Sequence, residues 1–128
     1  MTNTRFTYDQ DTVTDLRTGL MWQRHTSEDR FNLEAAKKYA ANLRLGGYED
    51  WRVPTKDELL SIVDRTRANP AIDTEVFPDT PSHWFWTVSP DAGSSNSAWV
   101  VNFRSGNSYA FDVSSVSRVR CVRQPPRD

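Results

Sequence analysis

Apolar and polar positions change their spacing three times along the chain. Phe6 and Tyr8 alternate with Arg5, Thr7 and Asp9, the period of two expected of a half-buried strand. Asp15-Leu-Arg-Thr-Gly19 then reads as a turn, so Val13 before it and Leu20 and Trp22 after it predict a β-hairpin. From Asn32 the spacing becomes three and four. Leu33, Ala36, Tyr39 or Ala40, and Leu43 fall on one helical face, with Lys37, Lys38, Asn42 and Arg44 on the wet side. Asn32 is the predicted N-cap and Gly46-Gly47 the predicted end of this helix. A second helix begins at Thr55, whose spacing to Glu58 is that of a capping box. Leu59, Ile62 and Val63 form its apolar stripe, and its end is expected near Arg67, ahead of Asn69-Pro70. Trp51 is expected to anchor the two helices to each other.

From about Ala71 the pattern turns to loop and then to strand. Pro70, Pro78, Pro81 and Pro90 argue against further long helices. Trp84–Val88, Ala98–Phe103, Tyr109–Val113 and Val119–Val122 read as four strands. Arg104-Ser-Gly-Asn-Ser108 joins the middle two as a tight hairpin, with Gly106 and Asn107 the residues able to take positive φ. In the last strand Val119 and Cys121 share one face, and Arg118, Arg120 and Val122 the other. Helices first and antiparallel strands last make the class α+β. One domain is expected over 1–128, with its core between about 5 and 123.

Length and composition narrow the function classes. A chain of 128 residues buries enough surface to fold without metal or disulfide support. Hydrophobic residues at 37% and aromatic residues at 12% separate it from disordered chains. Sixteen Lys+Arg against seventeen Asp+Glu give a net charge of -1, which excludes a broadly basic nucleic-acid binder. The single cysteine, Cys121, excludes an intramolecular disulfide and a thiolate-rich zinc site. No apolar run is long enough to enter a membrane, and Met1–Phe6 lacks the basic-then-apolar signal pattern. The default expectation is therefore a cytoplasmic protein.

Signals for catalysis are thin. His25 and His83 stand far apart with no second histidine at helical spacing, so nothing predicts a metal site. Cys121, inside an alternating strand, reads as a small buried hydrophobe. The glycines are scattered as Gly19, Gly46, Gly47, Gly93 and Gly106, which is no phosphate-cradling loop. Glu49-Asp50 and Asp57-Glu58 fit turn and helix-start roles. The expectation is a chain that is not an enzyme and uses no cofactor.

Signals for binding are stronger. Trp84, Trp86, Trp99, Phe103, Tyr109 and Phe111 crowd into one stretch, and Trp84 and Trp86 point the same way if that stretch is a strand. Serines and asparagines surround them from Ser94 to Ser117, the adaptable hydrogen-bonding chemistry of recognition loops. Residues 99–128 carry five Arg against two Asp, and Arg118, Arg120, Arg123 and Arg127 form a run suited to an anionic partner.

Four segments together carry a resemblance. Asp15-Leu-Arg-Thr-Gly-Leu-Met-Trp22, Gly47-Tyr-Glu-Asp-Trp-Arg-Val-Pro-Thr55 followed by Glu58-Leu-Leu60, Trp84-Phe-Trp-Thr-Val-Ser89 and Val119-Arg-Cys-Val-Arg123 resemble the Lcl C-terminal domain family. The resemblance implies a C-type-lectin-like fold: two helices packed on a small twisted antiparallel sheet with long loops, the first and last strands side by side. It further implies bacterial or phage-related modules, often on surface proteins, some associated with sulfated glycans. Calcium lectins of the wider fold use Glu-Pro-Asn or Gln-Pro-Asp and Trp-Asn-Asp. Ser89-Pro-Asp91 and Trp99-Val-Val101 here match neither, so no calcium sugar site is implied. Formylglycine-generating enzymes need paired cysteines, which this chain lacks. Asn102 to Ser117 is compatible with the exposed positions that retroelement-diversified proteins of this fold vary.

The leading expectation is thus a non-catalytic recognition module for a glycan, sulfated ones included, or a protein. Its predicted contacts are Trp86, Asn102, Arg104, Asn107, Tyr109, Asp112 and Arg120. The alternative is a structural subunit that assembles with copies of itself or with another chain, and an enzyme with an unrecognised site ranks third.

Overall fold

A computed structural model describes residues 4–125. Strands β1 (Phe6–Tyr8), β2 (Thr12–Asp15) and β3 (Met21–Gln23) form an antiparallel meander in which Val13 faces Trp22. The predicted β2–β3 turn is closed by Asp15 N–H to Leu20 O and Gly19 N–H to Asp15 O, both 2.8 Å, with Gly19 at φ 78°. Helix α1 spans Leu33–Asn42 and helix α2 Lys56–Leu60. Strands β4 (Trp84–Pro90), β5 (Ser97–Asn102) and β6 (Ser108–Asp112) form a second antiparallel sheet. The last strand, β7 (Val122–Arg123), returns to pair with β3 in the first sheet. The α+β class holds, but the expected pairing of first and last strands is corrected: β7 lies beside β3, and β1 is at the opposite edge of the sheet, in the order β1-β2-β3-β7.

The single sheet of the sequence reading is corrected to two, and the segment 117–123 shows why. Arg118 lies along the outer edge of β4, taking Trp86 N–H at 2.9 Å and donating to Trp84 O at 3.0 Å. The chain then crosses to the first half of the molecule, where Ser27 N–H meets Val119 O at 3.2 Å and Gln23 N–H meets Cys121 O at 2.9 Å. Only Val122 and Arg123 are regular strand, so the predicted strand Val119–Val122 is mostly a bridge between sheets. Its alternation survives. Val119 and Cys121 enter the apolar cluster around α1, with Leu33, Ala36, Ala40, Trp51, Trp86 and Val100. Val122 enters the other cluster, with Phe6, Trp22, Leu59, Phe77, Phe85 and Val101.

Both predicted helix starts are present and both predicted ends move. Asn32 caps α1 by accepting Ala35 N–H at 2.9 Å. The helix stops at Asn42, and Gly46-Gly47 instead make a two-residue turn at φ 63° and 85° between Leu45 and Tyr48. Two successive positive φ values suit a type I′ turn, which glycine forms without strain. At α2, Glu58 N–H reaches Thr55 Oγ1 at 3.2 Å and Thr55 N–H reaches Glu58 Oε1 at 2.8 Å, completing the capping box. Beyond Leu60 the bonds tighten to three residues, Ile62 N–H to Leu59 O and Val63 N–H to Leu60 O. Asp64 N–H then bonds Ala71 O at 2.8 Å, so the chain doubles back before Arg67. Trp51 is buried against α1, while α2 contributes its buried Leu59 to the other cluster; the tryptophan serves one helix rather than both.

Candidate functional site

The register of β4–β6 sorts its side chains onto two faces. Trp84 pairs with Asn102, Trp86 and Tyr109 with Val100, and Phe111 with Ala98, so these residues share one face. Phe85, Trp99, Val101, Ser108, Ala110 and Asp112 take the other. On the first face α1 and its cluster bury Trp86 and Val100 completely, while Trp84 and Phe111 pack against the same cluster and stay partly exposed. Trp84 meets Tyr109 edge to face, with centroids 4.7 Å apart at 86°, and meets Phe111 at 4.9 Å. Tyr109 is 45% exposed, and Trp84 and Phe111 are half-buried. Three rings thus stand together at the rim of the sheet, Tyr109 the most exposed of them and the other two partly exposed.

The β5–β6 hairpin adds polar groups beside them. Asn102 Oδ1 accepts Arg104 N–H at 2.9 Å, and Asn102 N–H donates to Asn107 O at 2.8 Å. Arg104 and Asn107 are exposed. Only Gly106 in this turn has positive φ, 84°, and it is buried; Asn107 does not share that conformation. A Cβ on Gly106 would sit 2.6 Å from Val63 Cγ1, which shows how tightly the hairpin docks on the 63–71 loop.

The structure therefore groups Asn102, Arg104, Asn107 and Tyr109 and separates the other three predicted contacts. Trp86 is a core residue at 0% exposure, its Nε1 donating to Phe31 O at 2.6 Å. Arg120 is likewise at 0% exposure, because the alternation of the last segment aims it at the core. Its guanidinium lies over Phe77 at 4.8 Å, with Nη1 donating to Arg24 O and Nη2 to Thr80 Oγ1. Burial pulls its pKa down to about 9, opposed by Asp79. Asp112 is exposed but on the opposite pleat from Tyr109. Its Oδ1 accepts Ser114 Oγ and N–H, and these bonds hold its carboxyl below the usual range.

The arginine run is similarly spent on structure. Arg118 Nη1 donates to Ser27 O and Glu28 O, and Arg123 binds Asp50 at 2.6 Å while lying over Tyr48. Arg127 lies outside the described residues. Trp84 and Phe111, named in the aromatic stretch but not among the predicted contacts, join Tyr109 in the candidate site. Both lie on the same period-two face as Tyr109, and that alternation was the available signal.

Burial pushes the Cys121 thiol up to about 12. Among the described residues no three of His, Cys, Asp and Glu gather in metal-binding proximity, and no helix is long and apolar enough to cross a membrane. A concavity of about 570 Å³ is lined by residues including Arg5, Arg17, Leu60, Arg65 and Phe77 and by none of the candidate contacts. Arg5 there is committed to Asp15 and to Ser61 O.

The family model of the Lcl C-terminal domain matches residues 11–123, nearly the whole chain. The chain belongs to the Lcl C-terminal domain family. A search of the curated proteins gave no match. In this Lcl C-terminal domain the residues that carry the family likeness are mostly scaffold. Asp15 binds Arg5, and Arg52 makes a two-pronged bond to Glu58 at 2.7 and 2.8 Å. Asp50 holds Arg123, and Trp22, Trp51 and Trp86 fill the cores. Of the rim aromatics only Trp84 falls within those segments, so the likeness speaks to the fold more than to the open face.

Proposed function

We propose that this Lcl C-terminal domain is a non-catalytic recognition module of C-type-lectin-like type, binding a glycan on the Trp84–Tyr109–Phe111 face without calcium. The observation that carries the reading is the partly exposed ring trio at the end of the second sheet, Trp84 edge to face with Tyr109 and tilted against Phe111. Rings packed against one another are fixed in orientation before any ligand arrives, so stacking on them costs little ordering entropy. The apolar C–H face of a pyranose fits such a platform. Asn102 and Asn107 supply hydrogen bonds at its border, and Arg104, with no acidic partner among the described residues, suits a sulfate or carboxylate substituent.

A glycan array that includes sulfated polysaccharides, read with and without a calcium chelator, tests this. Binding should survive chelation. Tyr109→Ala should weaken it by about tenfold, the worth of one stacking contact of roughly 1.4 kcal/mol, and shift the melting temperature little. Chelator-sensitive binding, or binding indifferent to Tyr109→Ala, refutes the site. Silence across the array refutes the glycan and leaves a protein ligand for the same face. A second reading, an assembly subunit, is favoured by the open edge of β6.

A further inference from the structure

Hydrogen bonds at the two ends of the β5–β6 ladder fix which main-chain groups of β6 point outward. Asn102 N–H donates to Asn107 O and Val113 N–H to Asn96 O, both at 2.8 Å. Bonded and non-bonded positions alternate in an antiparallel pair. Tyr109 and Phe111 therefore turn their N–H and C=O toward β5, and Ser108, Ala110 and Asp112 turn theirs away. Ser115 N–H takes Asp112 O at 2.9 Å. Among the described residues, the N–H groups of Ser108, Ala110 and Asp112 and the carbonyls of Ser108 and Ala110 have no partner. The opposite edge of the same sheet differs, since Arg118 occupies the outward groups of Trp84 and Trp86. Ser108–Asp112 carries no lysine, arginine, proline or bulge, and its one charge, Asp112, sits at the end of the strand.

We infer that β6 pairs antiparallel with β6 of a second copy, about a twofold axis at Ala110, joining two three-stranded sheets into one of six. Ala110 then exchanges both of its free main-chain bonds with its counterpart. Tyr109 faces the second copy's Phe111, and Ser108 faces its Asp112, so rings meet rings and a hydroxyl meets a carboxylate. The two neighbouring registers are worse. Centring on Asp112 opposes two carboxylates, and centring on Ser108 sets Tyr109 against Asn107 and Phe111 against Ser105.

The pairing adds the second copy's Tyr109 and Phe111 to the recognition face, with strands about 4.8 Å apart. The site becomes one continuous row from Trp84 of one chain to Trp84 of the other. That enlarged site rests on the recognition reading; the pairing itself does not. Two five-residue edges bury less than a standard interface, which places the dissociation constant on the order of 10–100 µM.

Sedimentation equilibrium of the whole chain without ligand, from about 5 to 500 µM to bracket that constant, should show mass rising from one chain to two. Ala110→Pro removes the outward donor while sparing the intramolecular ladder, which does not use that N–H. It should weaken the dimer at least about tenfold with the melting temperature nearly kept. Ala110→Lys, which sets two cations across the axis, should do the same and covers the case in which the proline variant fails to fold. Under mild oxidation Ala110→Cys should link two chains, whereas Ser108→Cys should not, its copies lying about 13 Å apart across the axis. A native chain that stays monomeric throughout, or a dimer indifferent to both Ala110→Pro and Ala110→Lys, overturns the inference. Because no ligand is present, either result leaves the glycan test standing.

Discussion

Substituting Asp15→Asn removes the charge from a carboxylate at 0% exposure. Its oxygens accept Arg5 Nε at 3.0 Å, Arg5 Nη2 at 2.7 Å and Arg17 N–H at 3.0 Å. Arg5 also donates to Ser61 O, so the pair ties the first sheet to the end of α2. Breaking one side of a buried pair typically costs about 3–5 kcal/mol. The Arg5 side chain is 24% exposed and recovers part of its hydration, which lowers the expected cost to about 2–4 kcal/mol. For a domain of this size that is a fall in melting temperature of roughly 8–15 °C. Burial, the largest single influence on Asp15, pushes its pKa up; the Arg5 hydrogen bonds, Arg17 N–H, the Arg5 charge and Thr18 together outweigh it and hold the pKa below normal. The folded value thus lies below the unfolded value of about 3.9. The pair's contribution is complete above that unfolded pKa and is lost as pH falls through the folded one. Urea melts of both proteins from pH 7 downward should therefore converge in acid. A cost under about 1 kcal/mol at pH 7, a cost that does not shrink in acid, or a coupling with Arg5→Met near zero in a double-mutant cycle refutes the reasoning.

Two further predictions concern residues around the hairpin and the core. Gly106→Ala should destabilise by about 2–4 kcal/mol, combining the penalty of a left-handed backbone with overpacking against Val63; a urea melt measures it, and Val63→Ala should return only the packing share. Arg120→Met should leave stability within about 1 kcal/mol or raise it, because a buried cation without a paired carboxylate gives way to an apolar chain of similar volume. Denaturation and ligand titration of the same variant check this, and reduced affinity with unchanged stability would return Arg120 to the binding site.

Local signals in the sequence were faithful wherever the structure is local. The first hairpin follows from Asp15–Gly19 with Val13 and Trp22 on either side, and the capping box at Thr55 follows from four residues alone. The end of α2 was misread because Ile62 and Val63 stay inward through the tightened turn, so the apolar spacing outlasts the helix. Non-local facts were out of reach. Period two places Trp84 and Trp86 on one face, but which of them is covered depends on α1, more than forty residues earlier in the chain. Arg120 misled in another way. Its charge suggested the surface, although its place between Val119 and Cys121, in phase with Val122, already aimed it at the core.

The bridging segment 117–123 also dictates an order of events during synthesis. Trp22 leaves the ribosome one hundred residues ahead of Val122, a gap of about 5–20 s at ordinary elongation rates. Throughout that interval β3 has no β7 beside it, and both apolar clusters lack the side chains that close them. The nascent hairpin therefore keeps an unpaired edge and uncovered apolar side chains until Val122 has emerged. For the same reason a chain stopped before Ser117 stays open, and residues 117–125 supplied as a separate peptide would complete it, making this stretch a natural point at which to split the domain into a complementing pair.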